Sequence, residues 1–408
     1  MLAFLLLGAG QILPFRWYYP GGVSIGDILF LILMMVEITF FVKKNEASQI
    51  FIRTKFILMA MGLIVLALIL GVALNYQYYI IFRPEYALWI FRLIYFAIMV
   101  PAVAFVVVNR LSVEVAVKYY LTGLITALVF NALNDFVWSV PNERCGLYIW
   151  ANPNVIGNIA CIGLLFNILW LREGGRPYVG YVGTFFLLGL AALLSFSKAT
   201  WVMLFLTGIL TVIIAYKGTQ FPMKAVRRVG FFAIAVFLAF IFLQLNKIEC
   251  YVDLKLKSSP SSLAIRGNYA VSAKNILIEH PLGIGVGRYY EYLKGAPASI
   301  VEAAQTGFSS AGNPHSAFLH LAISGGWGAL LGFIVLIYGA AHTFVTAVRR
   351  SGSKILSFLI GALYSVVLIV SASFQLQIMT VNFLYVIVGI VVALNLKETC
   401  KKEVYSKI

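Results

Sequence analysis

Residues 56–74 read FILMAMGLIVLALILGVAL, nineteen residues without a charged, hydroxyl or amide side chain, set between Lys55 and Asn75. About 20 such residues cover the hydrocarbon core of a bilayer as a helix. Working outward, the chain repeats the pattern as apolar runs of about 17 to 25 residues. Hydrophobic residues make up 62% of the 408, charged residues only 11%, and the mean hydropathy is +0.93. A soluble domain of this size carries about a quarter charged residues. The sequence therefore predicts an all-α polytopic membrane protein. Candidate spans fall at 1–13, 23–42, 56–74, 86–108, 119–137, 154–171, 178–196, 199–216, 229–245, 315–345, 355–373 and 378–395, twelve in all. The first, MLAFLLLGAGQIL, lacks a basic n-region and reads as a short span or re-entrant helix rather than a signal peptide.

Basic residues orient these spans. Lys43, Lys44, Arg53 and Lys55 share one connection, and alternate connections repeat the bias with Arg110 and Lys118, Arg172 and Arg176, Lys217 to Arg228, Arg349 to Lys354, and Lys397 to Lys407. The short connections between hold only Arg16, Arg83, Arg144 and Lys198. The positive-inside rule then predicts that both termini are cytoplasmic. The net charge of +16 follows from this orientation and implies no nucleic-acid partner. Four cysteines, Cys145, Cys161, Cys250 and Cys400, show no CxxC spacing, so no zinc site is expected. Cys145 and Cys250 fall on the outer side, either as a disulfide or as two free thiols.

One segment departs from the pattern. Residues 246–314 form a long polar excursion on the outer side, holding 12 of the chain's 46 charged residues. Three parts result: spans 1–9 over 1–245, the outer loop over 246–314, and spans 10–12 with a tail over 315–408. A long loop in a compact protein is usually functional. Within it, a helix is expected from about Arg266 to Glu279, stopped by Pro281, followed by a glycine-rich turn and a second short helix.

The tenth span opens on NPHSAFLHLAISGG, residues 313–326. His315 and His320 stand five apart, about 140° around a helix, which separates them from the i, i+4 spacing of a helical metal pair. No metal and no cofactor is expected. Asn313 suits an N-cap and Pro314 the first helical position, which would put His315 in the first turn. A helix N-terminus disfavours imidazolium, so His315 is either a neutral proton acceptor or simple helix-end polarity. His320, deeper, reads as an interhelical polar residue. Arg266 and Lys274 lie within about 80° of one helix face. Gly283, Gly285 and Gly287 precede Arg288; either they bring backbone amides to an anion or they turn a tight corner. Lys198, in a short outer connection, is either a ligand or a side chain snorkelling to headgroups. One base and several cations at one face suit a phosphate-bearing substrate.

Four stretches resemble the O-antigen ligase and polymerase superfamily: RGNYAVSAKNILIEHPLGIGVGRYY (266–290), NPHSAFLHLAISGGWGALLGF (313–333), SFSKATW (195–201) and ANPNVIGN (151–158). Two departures stand out. Lys198 occupies the position of the family's arginine, and Ala329 that of its second motif glycine, with Gly328 beside it. The resemblance implies a GT-C-like enzyme of the bacterial inner membrane with its site on the periplasmic side. It implies an inverting, metal-independent transfer from an undecaprenyl-pyrophosphate-linked glycan. The acceptor is a lipid A-core sugar for a ligase, or a second lipid-linked glycan for a polymerase. His315 would then activate the acceptor hydroxyl. Arg266 and Lys198 would hold the pyrophosphate, with Arg288 a lesser candidate and Lys274 and Asn313 as further substrate contacts. Membrane lipids complete the partners. A transporter or flippase is the reading from another class, but such proteins show repeat symmetry and broken polar mid-membrane helices. Here the polar residues gather at one face.

Overall fold

The apolar run at 56–74 becomes part of the longest unbroken helix among the described residues. The computed structural model describes residues 1–9, 28–33, 35–36, 44–75, 84–138, 262–286, 288–289, 316–349, 361, 364–365, 368 and 382–405. Among these residues all regular structure is helical. The helices are α1 (Leu2–Ala9), α2 (Lys44–Leu74), α3 (Pro84–Asn109), α4 (Val113–Trp138), α5 (Ser262–Glu279), α6 (Ala317–Arg349) and α7 (Asn382–Tyr405). Two of them, over Ser48–Leu74 and Ala317–Ala347, are long and apolar enough to cross a membrane. The spans expected at 154–171, 178–196, 199–216 and 229–245 lie outside the described residues, as do Cys145 and Cys250. Helix α2 begins twelve residues before the expected span, because Lys44–Lys55 continues the helix with polar residues that hydropathy alone does not flag.

The described helices belong to two compact units. In the first, α1 packs on α4. Val113, Ala116, Val117, Tyr120, Leu121 and Leu124 recur every three or four residues along α4 and are buried, the apolar stripe of a helix against a partner. Phe4 of α1 meets Phe30 edge-on, with ring centroids 5.9 Å apart. Ser112 caps α4, its hydroxyl accepting from the Val115 amide at 3.2 Å.

The second unit contains α2, α3 as far as Phe105, α5, α6 and α7. Its frame is the antiparallel pair α2–α6, held by small residues. A side chain on Gly71 would meet the Ser324 carbonyl, one on Gly328 the Ala67 Cβ at 3.1 Å, one on Gly332 the Ala60 carbonyl at 3.0 Å, and one on Gly339 the Phe56 Cβ at 2.9 Å. As α6 numbers rise, α2 numbers fall, so Lys44 and Arg349 end up at the same end of the pair. Small residues let backbones approach where lipid offers no hydrophobic drive for association. Helix α7 is buried on every side from Tyr385 to Leu396 and packs on α2 and α6. It also approaches α3 so closely that a side chain on Gly389 would meet the Val100 carbonyl at 2.8 Å.

Candidate functional site

At the α2 end opposite Lys44, three pieces of chain meet: the last turn of α2, the loop after α5, and the first turns of α6. Helix α5 buries Ser272, Ala273, Ile276 and Leu277, and turns Val271, Lys274 and Ile278 outward. The His280 amide still donates to the Ile276 carbonyl at 2.7 Å, but Pro281 has no amide to continue the ladder. The chain then reverses through Gly283 (φ 82°) and Gly285 (φ 87°), positions that side-chain-bearing residues rarely occupy.

Helix α6 is broken opposite this turn. Gly326 has φ 63° and ψ −152°, a conformation essentially confined to glycine. A break inside an apolar span strands backbone groups that must find partners within the protein. The loop supplies them. Ile284 donates its amide to the Ile323 carbonyl at 2.9 Å, Gly285 donates to Ser324 at 3.0 Å, and the Trp327 amide donates to Pro281 at 3.0 Å. There is no room for a side chain at this joint. A Cβ on Gly326 would strike the Pro281 carbonyl, and one on Gly283 would lie 2.5 Å from the Ser324 carbonyl.

Packing fixes the direction of α5 along α6. Ala273, Ile276, Ile284, Tyr289 and Ile323 form one apolar cluster against Leu319, and Leu277, Ala322 and Leu330 form a second. Further along, Pro281 meets Trp327. Residue numbers rise together, so α5 and α6 run parallel here. The mouth of α6 is closed by Ser316, whose hydroxyl accepts from the Leu319 amide at 3.3 Å.

The stretch from 183 to 334, which contains α5, the glycine loop and the broken half of α6, matches the family model described as O-antigen ligase. Over this stretch, well under half of its length, the chain is similar to that family. Among curated proteins, no match to the chain was found. The match supports the O-antigen ligase and polymerase superfamily indicated by the motifs, and with it a membrane glycosyltransferase of broadly O-antigen-ligase type. Such a family implies lipid-linked glycan and acceptor substrates in general.

Within this matched stretch, the structure sorts the expected site residues. Lys198, Asn313 and His315 lie outside the described residues. Arg266 sits on α5, seven residues before Ala273 and so about 20° from it around the helix. Lys274 is exposed on the same helix. Arg288 is buried, 8% exposed, and its Nη1 donates to Asn75 Oδ1 at 3.1 Å and to the Ile284 carbonyl at 3.5 Å. His320 is buried in the first turns of α6, as expected.

The described part of the helix begins at Ala317 with Ser316 as its cap, and the capping role expected of Asn313 falls outside the described residues. Of the two readings of the glycines, the corner holds for the described ones: the Gly283 amide donates to the His280 carbonyl at 2.8 Å and the Gly285 amide to Ser324 at 3.0 Å, while Gly287 lies outside the described residues. In the histidine motif, Gly328 meets α2, where a side chain would stand 3.1 Å from the Ala67 Cβ, and Ala329 beside it is buried. Sequence reading missed Asn75. Its partners Gly283 and Arg288 stand 208 and 213 residues away, and no spacing rule reaches across that separation.

Proposed function

We propose that the protein transfers a glycan from undecaprenyl pyrophosphate to an acceptor hydroxyl at the periplasmic face of a bacterial inner membrane, the acceptor being a lipid A-core sugar. The acceptor oxygen bonds to the anomeric carbon with inversion as the bond from that carbon to the pyrophosphate oxygen breaks. His315 takes the hydroxyl proton, and the departing electron pair goes to the pyrophosphate. Arg266 and Lys198 meet the charge that grows there, an electrostatic contribution that is usually the largest in such reactions. Lys274 and Asn313 add substrate contacts. No metal or cofactor takes part.

One observation carries this reading. Helices α5 and α6 run parallel, and Ala273 shares a cluster with Ile323. Arg266 stands seven residues before Ala273, and Ser316 seven before Ile323, about 10 Å along each axis. The backbone of Arg266 thus lies toward the same end of the pair as Ser316, the residue that follows His315 in the chain. An arginine on the helix that runs toward that mouth supports a pyrophosphate site beside the residue read as the base.

The test is product formation by the purified full chain from lipid-linked donor. His315→Ala is expected to lower the rate about 10²–10⁴-fold, the usual worth of a general base. A wild-type rate from that variant would remove His315 from the chemistry. Offering core lipid and a second lipid-linked glycan in parallel decides the acceptor: extension of the lipid-linked glycan alone would make the protein a polymerase.

A further inference from the structure

The structure assigns to Asn75 a positioning role: with Arg288 it fixes the glycine loop, and through the loop the outer segment of α6 that leads to His315. This inference rests on the reading of His315 as the base. The side chain of Asn75 is engaged at both ends. Its Nδ2 donates to the Gly71 carbonyl at 2.8 Å and to the Gly283 carbonyl at 3.3 Å, and its Oδ1 accepts from Arg288 at 3.1 Å. It thereby ties the last turn of α2 to the loop. The next two loop residues, Ile284 and Gly285, hold Ile323 and Ser324, the last carbonyls before the break.

The break makes this tether consequential. In an unbroken helix, the ladder of hydrogen bonds fixes the direction of the outer turns. At Gly326 that ladder stops, and residues 317–325 take their direction from what they bond to and pack against. That segment is about 13 Å long, so a tilt of roughly 5° displaces its mouth by about 1 Å. A misplacement of about 1 Å at a reacting group costs on the order of a hundredfold in rate. Only a carboxamide both donates to Gly283 and accepts from Arg288 at this position. Aspartate keeps the acceptor and loses the donor, and alanine loses both. Arg288 accordingly belongs to the tether rather than to the pyrophosphate site.

Two measurements on the full chain in lipid nanodiscs test this. The first compares kcat and donor KM for Asn75→Ala and the near-isosteric Asn75→Asp. Both variants should lose about a hundredfold in kcat, with donor KM within about twofold of wild type. The second places spin labels at Leu74→Cys and Phe318→Cys, both exposed sites, in a background without the native cysteines. The distance distribution between them should broaden or shift in both variants. A kcat within twofold of wild type, a loss confined to KM, or an unchanged distribution overturns the inference. If Asn75→Ala fails to fold, Asn75→Asp decides by the same criteria. If the wild-type protein forms no glycan product, the proposed function fails, and the label distances alone still decide whether Asn75 holds the segment.

Discussion

Helices α2 and α6 are of nearly equal length, 31 and 33 residues, and lie side by side, yet only one is continuous. Helix α2 runs unbroken from Lys44 to Leu74 and gives the pair its frame. Helix α6 uses that frame along Gly328, Gly332 and Gly339, then breaks at Gly326 and hands its open backbone groups to the loop. The same residue type does opposite work in the two helices. Gly62 of α2 has nothing within 4 Å of where a side chain would stand, whereas Gly326 is enclosed by Pro281, Leu282 and Gly283. What a glycine contributes is set by what surrounds it, and here the enclosed one lies in the matched domain, beside the candidate site.

Substitutions can test this contrast directly. The largest effect is expected for Gly326→Ala, which combines a glycine-only conformation with a clash against backbone. Strain and overpacking together should cost roughly 2–6 kcal/mol, read as a lowered unfolding midpoint in micelles. An unchanged midpoint would mean that α6 is not broken at Gly326. Ser316→Ala removes one capping acceptor and should cost about 1 kcal/mol by the same measurement. A loss of several kcal/mol there would show that Ser316 holds more than its own helix. Gly62→Ala should be the mildest, leaving stability unchanged or raising it by up to about 1 kcal/mol through helix propensity. Marked destabilisation would show that the exposed face of α2 is closely packed against something in the membrane.

Much of this architecture could be read from local sequence. Apolar run length marked α2 and α6, and Pro281 marked the end of α5 to within two residues. These signals are local because hydropathy and a missing amide act on the segment that bears them. The break at Gly326 was not legible, since a glycine in an apolar helix reads equally as a packing residue. Only the Pro281 carbonyl and the Ile284 and Gly285 amides, forty or so residues earlier, make an opened ladder affordable in lipid. Asn75 was hidden for the same reason. As the first polar residue after nineteen apolar ones it reads as the end of a span, and its role exists only once Gly283 and Arg288 are folded beside it. The candidate base, by contrast, came from motif and spacing, which need no tertiary contact.

The break in α6 also has a consequence for how the helix depends on the rest of the chain. Ile323 and Ser324 cannot leave their carbonyls bare in lipid, and before the loop docks the nearest amides are those of Trp327 and Gly328 in their own helix. The broken form of the helix therefore depends on the docked loop, whose Ile284 and Gly285 amides stand in for those two partners. The bend at Gly326 is thereby conditional on contacts between segments some forty residues apart in the chain.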